Sequence, residues 1–247
     1  MLKICAISDL HGTLPEIGQC DVLFICGDIF PLNIQRSPEK CQKWLTNEFS
    51  EWAKNVPCKT IYFIAGNHDF ALEIWGYDKT MEILEEVPGL HGKVIYVQDG
   101  LIEIEGGLTL YGCPWCTGPR GWAFVDVFAT HYDSIPDCDI LLTHQPPSVN
   151  KLGCSYPGTW QEECYGSYEL KDVIKERKIR YNFCGHIHTG THGGEGLIGC
   201  ETEFYNVSLL DEDYKVAYEP LYLEISEEVI ETSTTIFNDE KFDSINN

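Results

Sequence analysis

The stretch that decides the fold is Thr60-Ile-Tyr-Phe-Ile-Ala-Gly-Asn-His-Asp69. Residues 60–65 form an apolar run without alternation, which is typical of a strand covered on both faces. The run stops at glycine and three polar residues, so Asn67, His68 and Asp69 are expected at the carboxyl end of that strand. Taken alone, Gly-Asn-His-Asp could be only a turn, because glycine, asparagine and aspartate all favour one.

Four further apolar runs end in the same manner. The first run, residues 3–7, is followed by Ser8-Asp9-Leu10-His11, and the second, residues 21–26, by Gly27-Asp28. The third, residues 139–142, is followed by Thr143-His144, and the fourth, residues 181–184, by Gly185-His186-Ile187-His188. Layered α/β folds place ligands at the carboxyl ends of adjacent strands, so we expect these polar residues to meet. Any one of them singly would more often be structural. The other histidines, His91, His131 and His192, lack this context and are expected to be surface or structural residues.

Helical patterns separate these runs and short alternating strands follow them. Ser37-Pro38 predicts a helix start, and the apolar residues from Cys41 to Val56 then fall on one face. Further helices are expected near residues 78–86 and 167–178. Alternating strands are expected at residues 94–98, 101–104, 108–111, 204–208 and 221–225. The pattern predicts an α/β protein with two packed sheets and helices outside.

The bulk composition indicates one globular domain. The chain has 247 residues, of which 43% are hydrophobic and 23% charged, close to the globular average. We expect a single domain over residues 1–232 and an acidic, loosely ordered tail over residues 233–247. No apolar run approaches the roughly 20 residues of a membrane span. The first residues also lack the features of a secretory signal, so a cytoplasmic protein without a membrane partner is expected.

Charge and cysteine content exclude some classes of function. The formal net charge of −22 makes a nucleic-acid polymer an unlikely partner, whereas a small or protein-borne phosphate is compatible with it. The 12 cysteines are scattered at irregular spacing, which indicates reduced core thiols. Cys113-Pro-Trp-Cys116 is a Cys-x-x-Cys motif, but a redox or zinc role needs a thioredoxin-like context or a second paired motif. Neither is visible.

The polar residues at the strand ends form a mixed set of oxygen and imidazole donors: Asp9, His11, Asp28, Asn67, His144, His186 and His188. One bridging carboxylate with donors on either side suits two cations about 3.5 to 4 Å apart, the arrangement that catalyses phosphoryl transfer. Abundant imidazole favours manganese, iron, zinc or nickel over magnesium. Two divalent cations, two carboxylates and a bridging hydroxide leave a formal charge of about +1, which suits a phosphate. The side-chain amide of Asn67 is neutral, so it leaves this net positive charge unchanged.

In order and spacing, these motifs resemble the signature of the calcineurin-like metallophosphoesterases. The resemblance covers about residues 3–225 and implies a four-layer α/β/β/α sandwich with two mixed sheets. It implies that Asp9, His11, Asp28 and His188 hold one cation and that Asp28, Asn67, His144 and His186 hold the other, with manganese the first expectation. His68 would stabilise the transition state or protonate the leaving oxygen, and Asp69 would orient His68.

Within that family the chain is similar to the small brain metallophosphoesterase-domain branch, which is assigned cyclic-nucleotide phosphodiesterase activity. The similar stretches are residues 64–68, 139–147, 166–170 and 205–208. Some members of that branch have glycine where this chain has His186, and its presence implies a complete second metal site.

The resemblance implies a hydrolase for a small phosphodiester or phosphomonoester, with nucleotides among the candidate substrates. A serine/threonine protein phosphatase and a non-catalytic nucleotide-binding scaffold are the alternatives. The cleft walls are expected at residues 112–124 and 145–163. The residues there and nearby that could contact substrate, or equally be packing or surface residues, are Arg36, Trp115, Arg120, Trp122, Tyr156 and Trp160.

Overall fold

A computed structural model describes residues 1–226, so the predicted acidic tail, residues 233–247, lies outside the described residues. In chain order the strands are β1 (Leu2–Ile7), β2 (Val22–Cys26), β3 (Thr60–Ile64), β4 (Val94–Tyr96), β5 (Gly100–Glu103), β6 (Thr109–Cys113), β7 (Cys138–Thr143), β8 (Cys154–Ser155), β9 (Glu163–Cys164), β10 (Ile179–Cys184), β11 (Gly193–Gly196), β12 (Glu203–Asn206) and β13 (Leu221–Ile225). The helices are α1 (Pro38–Trp44), α2 (Ser50–Asn55), α3 (Phe70–Glu86) and α4 (Tyr168–Glu176).

Two large sheets, each with a parallel centre, form the middle of the protein. The first has the order β13-β1-β2-β3-β4, and its strands are parallel except for β13 at the edge. The second has the order β11-β12-β10-β7-β6-β5, with antiparallel strands at both edges. The carboxyl ends of the parallel strands in each sheet therefore lie at one edge.

Three apolar clusters hold four layers together. The inner cluster joins residues of both sheets, such as Phe24 and Phe183, whose rings lie 5.8 Å apart. A second cluster packs α1, α2 and α3 against the outer face of the first sheet, and a third packs α4 against the second sheet. The predicted α/β/β/α sandwich with two mixed sheets is confirmed. Among residues 1–226, no helix has the length and apolar composition that a membrane span needs.

Two helices differ from the predicted bounds. The helix expected from residue 37 is interrupted by one π-helical turn, Leu45–Phe49, between α1 and α2. The helix expected near residues 78–86 begins earlier, at Phe70, and Gly76 interrupts it with φ 70° and ψ 178°. Because the glycine divides α3 into two short parts, its first part is too short to show a helical period.

All but two of the cysteines are reduced thiols, as expected from the sequence. Ten are free, and eight of these are buried. Cys154 and Cys164, however, form a disulfide. They are paired neighbours in the β8–β9 ladder, with Cα atoms 3.8 Å apart. The sequence did not reveal this pair because the two-residue strands that align it are too short to predict.

Candidate metal centre

The predicted ligands converge around Asp28 where the two sheets meet. The Oδ2 atom of Asp28 lies 3.3 Å from His144 Nε2 and 3.6 Å from His11 Nε2. Asn67 Oδ1 lies 3.0 Å from the same nitrogen of His144. These residues follow β1, β2, β3 and β7, so strand ends from both sheets contribute to one site.

On the side of the metal site that contains His11 and His188, the central residue is Asp9. Its side chain is fully buried, and its Oδ1 atom lies 3.4 Å from His188 Nε2. Asp9, His11 and His188 each place a donor atom within 4.8 Å of the other two. The backbone amide of His186 and the hydroxyl of Ser208 both donate to the Asp9 carboxylate, at 3.0 and 2.7 Å. These bonds fix the carboxylate in place before any cation arrives.

On the opposite side of the metal site, the central residue is His144. With Asp9 and Asp28 it forms a second group whose donor atoms lie within 4.8 Å of one another. The ring of His186 lies 5.1 Å from the ring of His144, centroid to centroid. The structure therefore brings all seven predicted ligands to one site, with Asp28 between the two sides.

The backbone at this site is held in unusual conformations. Asp9, His11, Asp28 and His186 all have positive φ, between 42° and 69°. Such conformations cost on the order of 1 kcal/mol each for non-glycine residues and concentrate at functional sites. A Cβ atom on Gly185 would lie only 2.4 Å from Asp9 Oδ2, so the close approach of these loops requires glycine there.

The histidine hydrogen bonds leave donor atoms directed at the site. His144 Nδ1 donates to the carbonyl of Cys26 at 2.7 Å, and His188 Nδ1 donates to the carbonyl of Asp211 at 2.8 Å. Each bond fixes the ring so that Nε2 faces a carboxylate of the site and can bind a cation once its proton is released. Both ring nitrogens of His11 are buried without a hydrogen-bond partner within residues 1–226. Since buried polar atoms are rarely unpaired, the residues present fit a cation.

Burial and neighbouring charges shift the pKa values of the predicted ligand side chains. Burial alone would raise the pKa of Asp28, but the charges of His144 and His11 hold it well below the usual range. Burial lowers the pKa of His144, yet Asp28 outweighs it and raises that pKa to about 9. Burial instead lowers the pKa values of His11 and His186 to about 4. The site thus already contains neutral imidazoles, the form that binds metal.

Comparison with known proteins agrees with this geometry. The family model for calcineurin-like phosphoesterase matches residues 2–190. The chain belongs to the calcineurin-like phosphoesterase family. Membership supports a metal-dependent phosphoester hydrolase and implies divalent metal ions.

Three proteins that match this phosphoesterase have low sequence identity to it. UPF0046 protein C25E10.12 of Caenorhabditis elegans is 29% identical, with 91% of this chain and 81% of that protein covered. UPF0046 protein T07D4.2 of the same organism is also 29% identical, but the match covers 55% of this chain and 34% of that protein. The crystal structure of TT1561 of Thermus thermophilus has a TM-score of 0.51 at 15% identity, covering 83% of this chain and 88% of that one. At that identity the last match shows the fold alone.

His68 lies beside the phosphoesterase site, and its ring is bonded to a residue other than Asp69, the partner expected from the sequence. Its Nδ1 atom lies 2.7 Å from Gln35 Oε1, and its ring lies 4.6 Å from that of Trp122. The His68 backbone amide donates to Asp28 Oδ1 at 2.7 Å. Gln35, not Asp69, orients the imidazole. Gln35 follows no strand, so no pattern in the sequence marked it.

Asp69 instead holds two loops of the site together. Its fully buried carboxylate accepts four backbone amides, those of Asp28 at 2.8 Å, Ile29 at 3.0 Å, Phe30 at 3.2 Å and Gly66 at 2.8 Å. The loop after β2 is thereby joined to the loop after β3. Although Asp69 precedes α3, its side chain does not cap that helix.

The predicted cleft-wall residues divide into packed and exposed groups. Trp115 donates to the Asp99 carboxylate at 2.9 Å and stacks on His131 at 3.6 Å, which marks it as a packing residue. Trp160 is 92% exposed at the surface. The Arg36 guanidinium packs over the ring of Phe70 at 4.0 Å and donates to the Gly121 carbonyl.

Two other predicted wall residues, Tyr156 and Arg120, are exposed at the surface. Trp122 is 40% exposed beside His68 and is the wall aromatic best placed to meet a substrate.

Cys116 is a residue of the site that sequence reasoning missed. It forms a third group with His144 and His186, in which the donor atoms lie within 4.8 Å of one another. A signal was present, because the Cys-x-x-Cys motif begins where β6 ends and β6 is paired in parallel with β7, which ends just before His144. Like the histidines, this cysteine follows a strand whose carboxyl end lies at the edge of the sheet where the site forms.

Proposed function

We propose that this protein hydrolyses phosphate esters with two divalent transition-metal ions. One ion would be held by Asp9, His11, Asp28 and His188, and the other by Asp28, Asn67, His144 and His186. The observation that supports this most directly is that donor groups on two sides share the buried carboxylate of Asp28. When bound, the ions supply Lewis acids that activate water and neutralise charge on the phosphate.

His68 is proposed to protonate the leaving oxygen. Because Nδ1 faces the oxygen of Gln35, the Nδ1 atom carries a proton, and Nε2 carries one only when the ring is an imidazolium. Burial lowers the pKa of His68, which makes the imidazolium a better proton donor but a less populated one. We therefore expect turnover to decline as pH rises through this lowered pKa, which lies below the ordinary histidine value of 6.5. General acid catalysis of this kind contributes about 10²- to 10⁴-fold to rate.

The substrate is proposed to be a small phosphorylated molecule, with nucleotides as the first class to test. The exposed part of Trp122 lies next to His68 and offers an aromatic face on which a base could stack. The net charge of −22 opposes binding of a nucleic-acid polymer.

A metal-replete protein should be tested against an aryl phosphate monoester, the corresponding diester, 2′,3′- and 3′,5′-cyclic nucleotides and a phosphopeptide. His68→Ala is expected to keep its metal and lose about 10²- to 10⁴-fold in kcat. Asp28→Asn is expected to lose metal, and the exposed His91→Ala is the matched control. Normal turnover by metal-replete His68→Ala would refute the acid role. Failure of the metal-replete wild type on every ester would refute the function itself.

A further inference from the structure

A thiol lies against the His144 side of the centre, in addition to the oxygen and nitrogen donors. We call Cys116, His144 and His186 the thiol cluster, since their donor atoms lie within 4.8 Å of one another. Cys116 is 2% exposed. Its sulfur contacts the carbonyl of Pro114 at 3.8 Å and also faces the backbone amide of Gln145. The long contact to Pro114 leaves the sulfur available for a stronger bond.

The backbone holds this sulfur in a fixed position. The amide of Cys116 donates to the carbonyl of Phe124 at 2.8 Å, and its own carbonyl accepts from the amide of Asp126 at 2.9 Å. Cys116 is also bridged to Val125 in a strand-like pairing. The thiol is therefore presented by ordered backbone, as the other donors are.

The distances suit a shared cation. Zinc bonds to sulfur at about 2.3 Å and to imidazole nitrogen at about 2.0 to 2.1 Å, so at the tetrahedral angle the two donors lie about 3.6 Å apart. The donor atoms of the thiol cluster lie within 4.8 Å of one another, so they would have to approach by about 1.2 Å at most.

We propose that Cys116 supplies a thiolate ligand to the cation on the His144 side, an inference that rests on the proposed function. As the sulfur–metal bond forms, the thiol proton passes to solvent, and no electron is transferred. A thiolate favours zinc or iron over manganese on this side, which revises the first expectation from sequence. It also lowers the formal charge of the loaded site by one, to about zero, and so weakens its attraction for anions.

The other cysteine of the motif does not share this role. Cys113 is fully buried in the third apolar cluster and belongs to none of the donor groups within residues 1–226. Both cysteines are free thiols. Cys113→Ala is therefore a matched control, because it removes a buried thiol three residues away without touching the thiol cluster.

The test uses the full chain loaded with Co²⁺, because a thiolate ligand gives a charge-transfer band in the near ultraviolet. The band is expected in the wild type and in Cys113→Ala and is expected to be absent in Cys116→Ala and Cys116→Ser. Competition between Zn²⁺ and Mn²⁺ gives a second readout. Zinc affinity should fall at least about tenfold in Cys116→Ala, since even indirect partners of a metal ligand contribute that much.

The outcomes separate this proposal from the proposed function. Wild type that binds two Co²⁺ and hydrolyses an ester but lacks the band would overturn the cysteine ligand and leave the function intact. A band without hydrolysis of any ester would support the ligand and count against the function. If the Cys116 variants do not fold, X-ray absorption of zinc-loaded wild type decides, because a sulfur neighbour at about 2.3 Å is required. Its absence would overturn the proposal.

Discussion

Replacing Asp69 tests whether this carboxylate joins the two loops of the site. Asp69→Ala removes the acceptor of four buried backbone amides, which have no other acceptor in the structure of residues 1–226. Asp69→Asn is subtler. It keeps one oxygen for the amides of Ile29 and Phe30 but turns an NH₂ group towards those of Asp28 and Gly66. The two variants therefore remove four and two bonds, respectively.

The magnitude follows from the count of bonds. A hydrogen bond to a charged group contributes about 1.5–3 kcal/mol, and water that fills the space would recover part of this. With about 1 kcal/mol lost per amide, Asp69→Ala should lower the free energy of unfolding by about 4 kcal/mol and Asp69→Asn by about 2 kcal/mol. Typical domains have about 5–15 kcal/mol in total, so the first variant should be close to unfolding.

Urea unfolding in the presence of a chelator measures these values without a metal contribution. Burial and the charge of Asp28 raise the pKa of Asp69 to about 7, so the assay should be run at pH 8, where the carboxylate is ionised. Asp172→Asn is the control, because this exposed residue has only a weak ion pair, with Lys171, within residues 1–226 and should change stability by less than about 0.5 kcal/mol. A loss below about 1 kcal/mol for Asp69→Ala would refute the reasoning.

Three further perturbations test other parts of the structure. In metal-free protein the pKa values of His144 and His188 are raised from 6.5 to about 9, so their stabilising contribution is complete below pH 6.5 and is lost as pH rises to 9. Urea unfolding with a chelator should show this fall, and a flat profile would contradict it. Gly185→Ala should abolish tight metal binding in a titration, because its Cβ would displace the carboxylate of a ligand. Reduction of the Cys154–Cys164 disulfide, which closes a loop with a sequence separation of 10, should lower the free energy of unfolding by about 2–3 kcal/mol, and an unchanged melting temperature would contradict this.

The positions of the metal donors could be predicted because each follows an unalternating apolar run. Such runs are central parallel strands, and the carboxyl ends of parallel strands lie at one edge. His144 and His186 accordingly follow neighbouring strands, β7 and β10. The four-layer order needed the family resemblance in addition, because apolar periodicity alone does not say which sheet faces which helix.

The roles of supporting residues could not be predicted, because they depend on how loops meet. Gln35 lies 33 residues from His68, and Asp69 lies 41 residues from Asp28. Neither distance leaves a local pattern in the sequence. Cys116 differs, since its motif follows a strand that ends at the same edge. A Cys-x-x-Cys motif indicates a redox or zinc pair, however, and does not by itself mark one of its cysteines as part of a mixed ligand set.

Two cations are expected to bind on either side of Asp28, and the proposed chemistry depends on both. Anomalous diffraction from crystals of the full chain soaked with Mn²⁺ or Zn²⁺ measures this directly. We expect two peaks about 3.5–4 Å apart, with the Asp28 carboxylate between them. A single peak, or peaks remote from Asp28, would contradict the dinuclear centre.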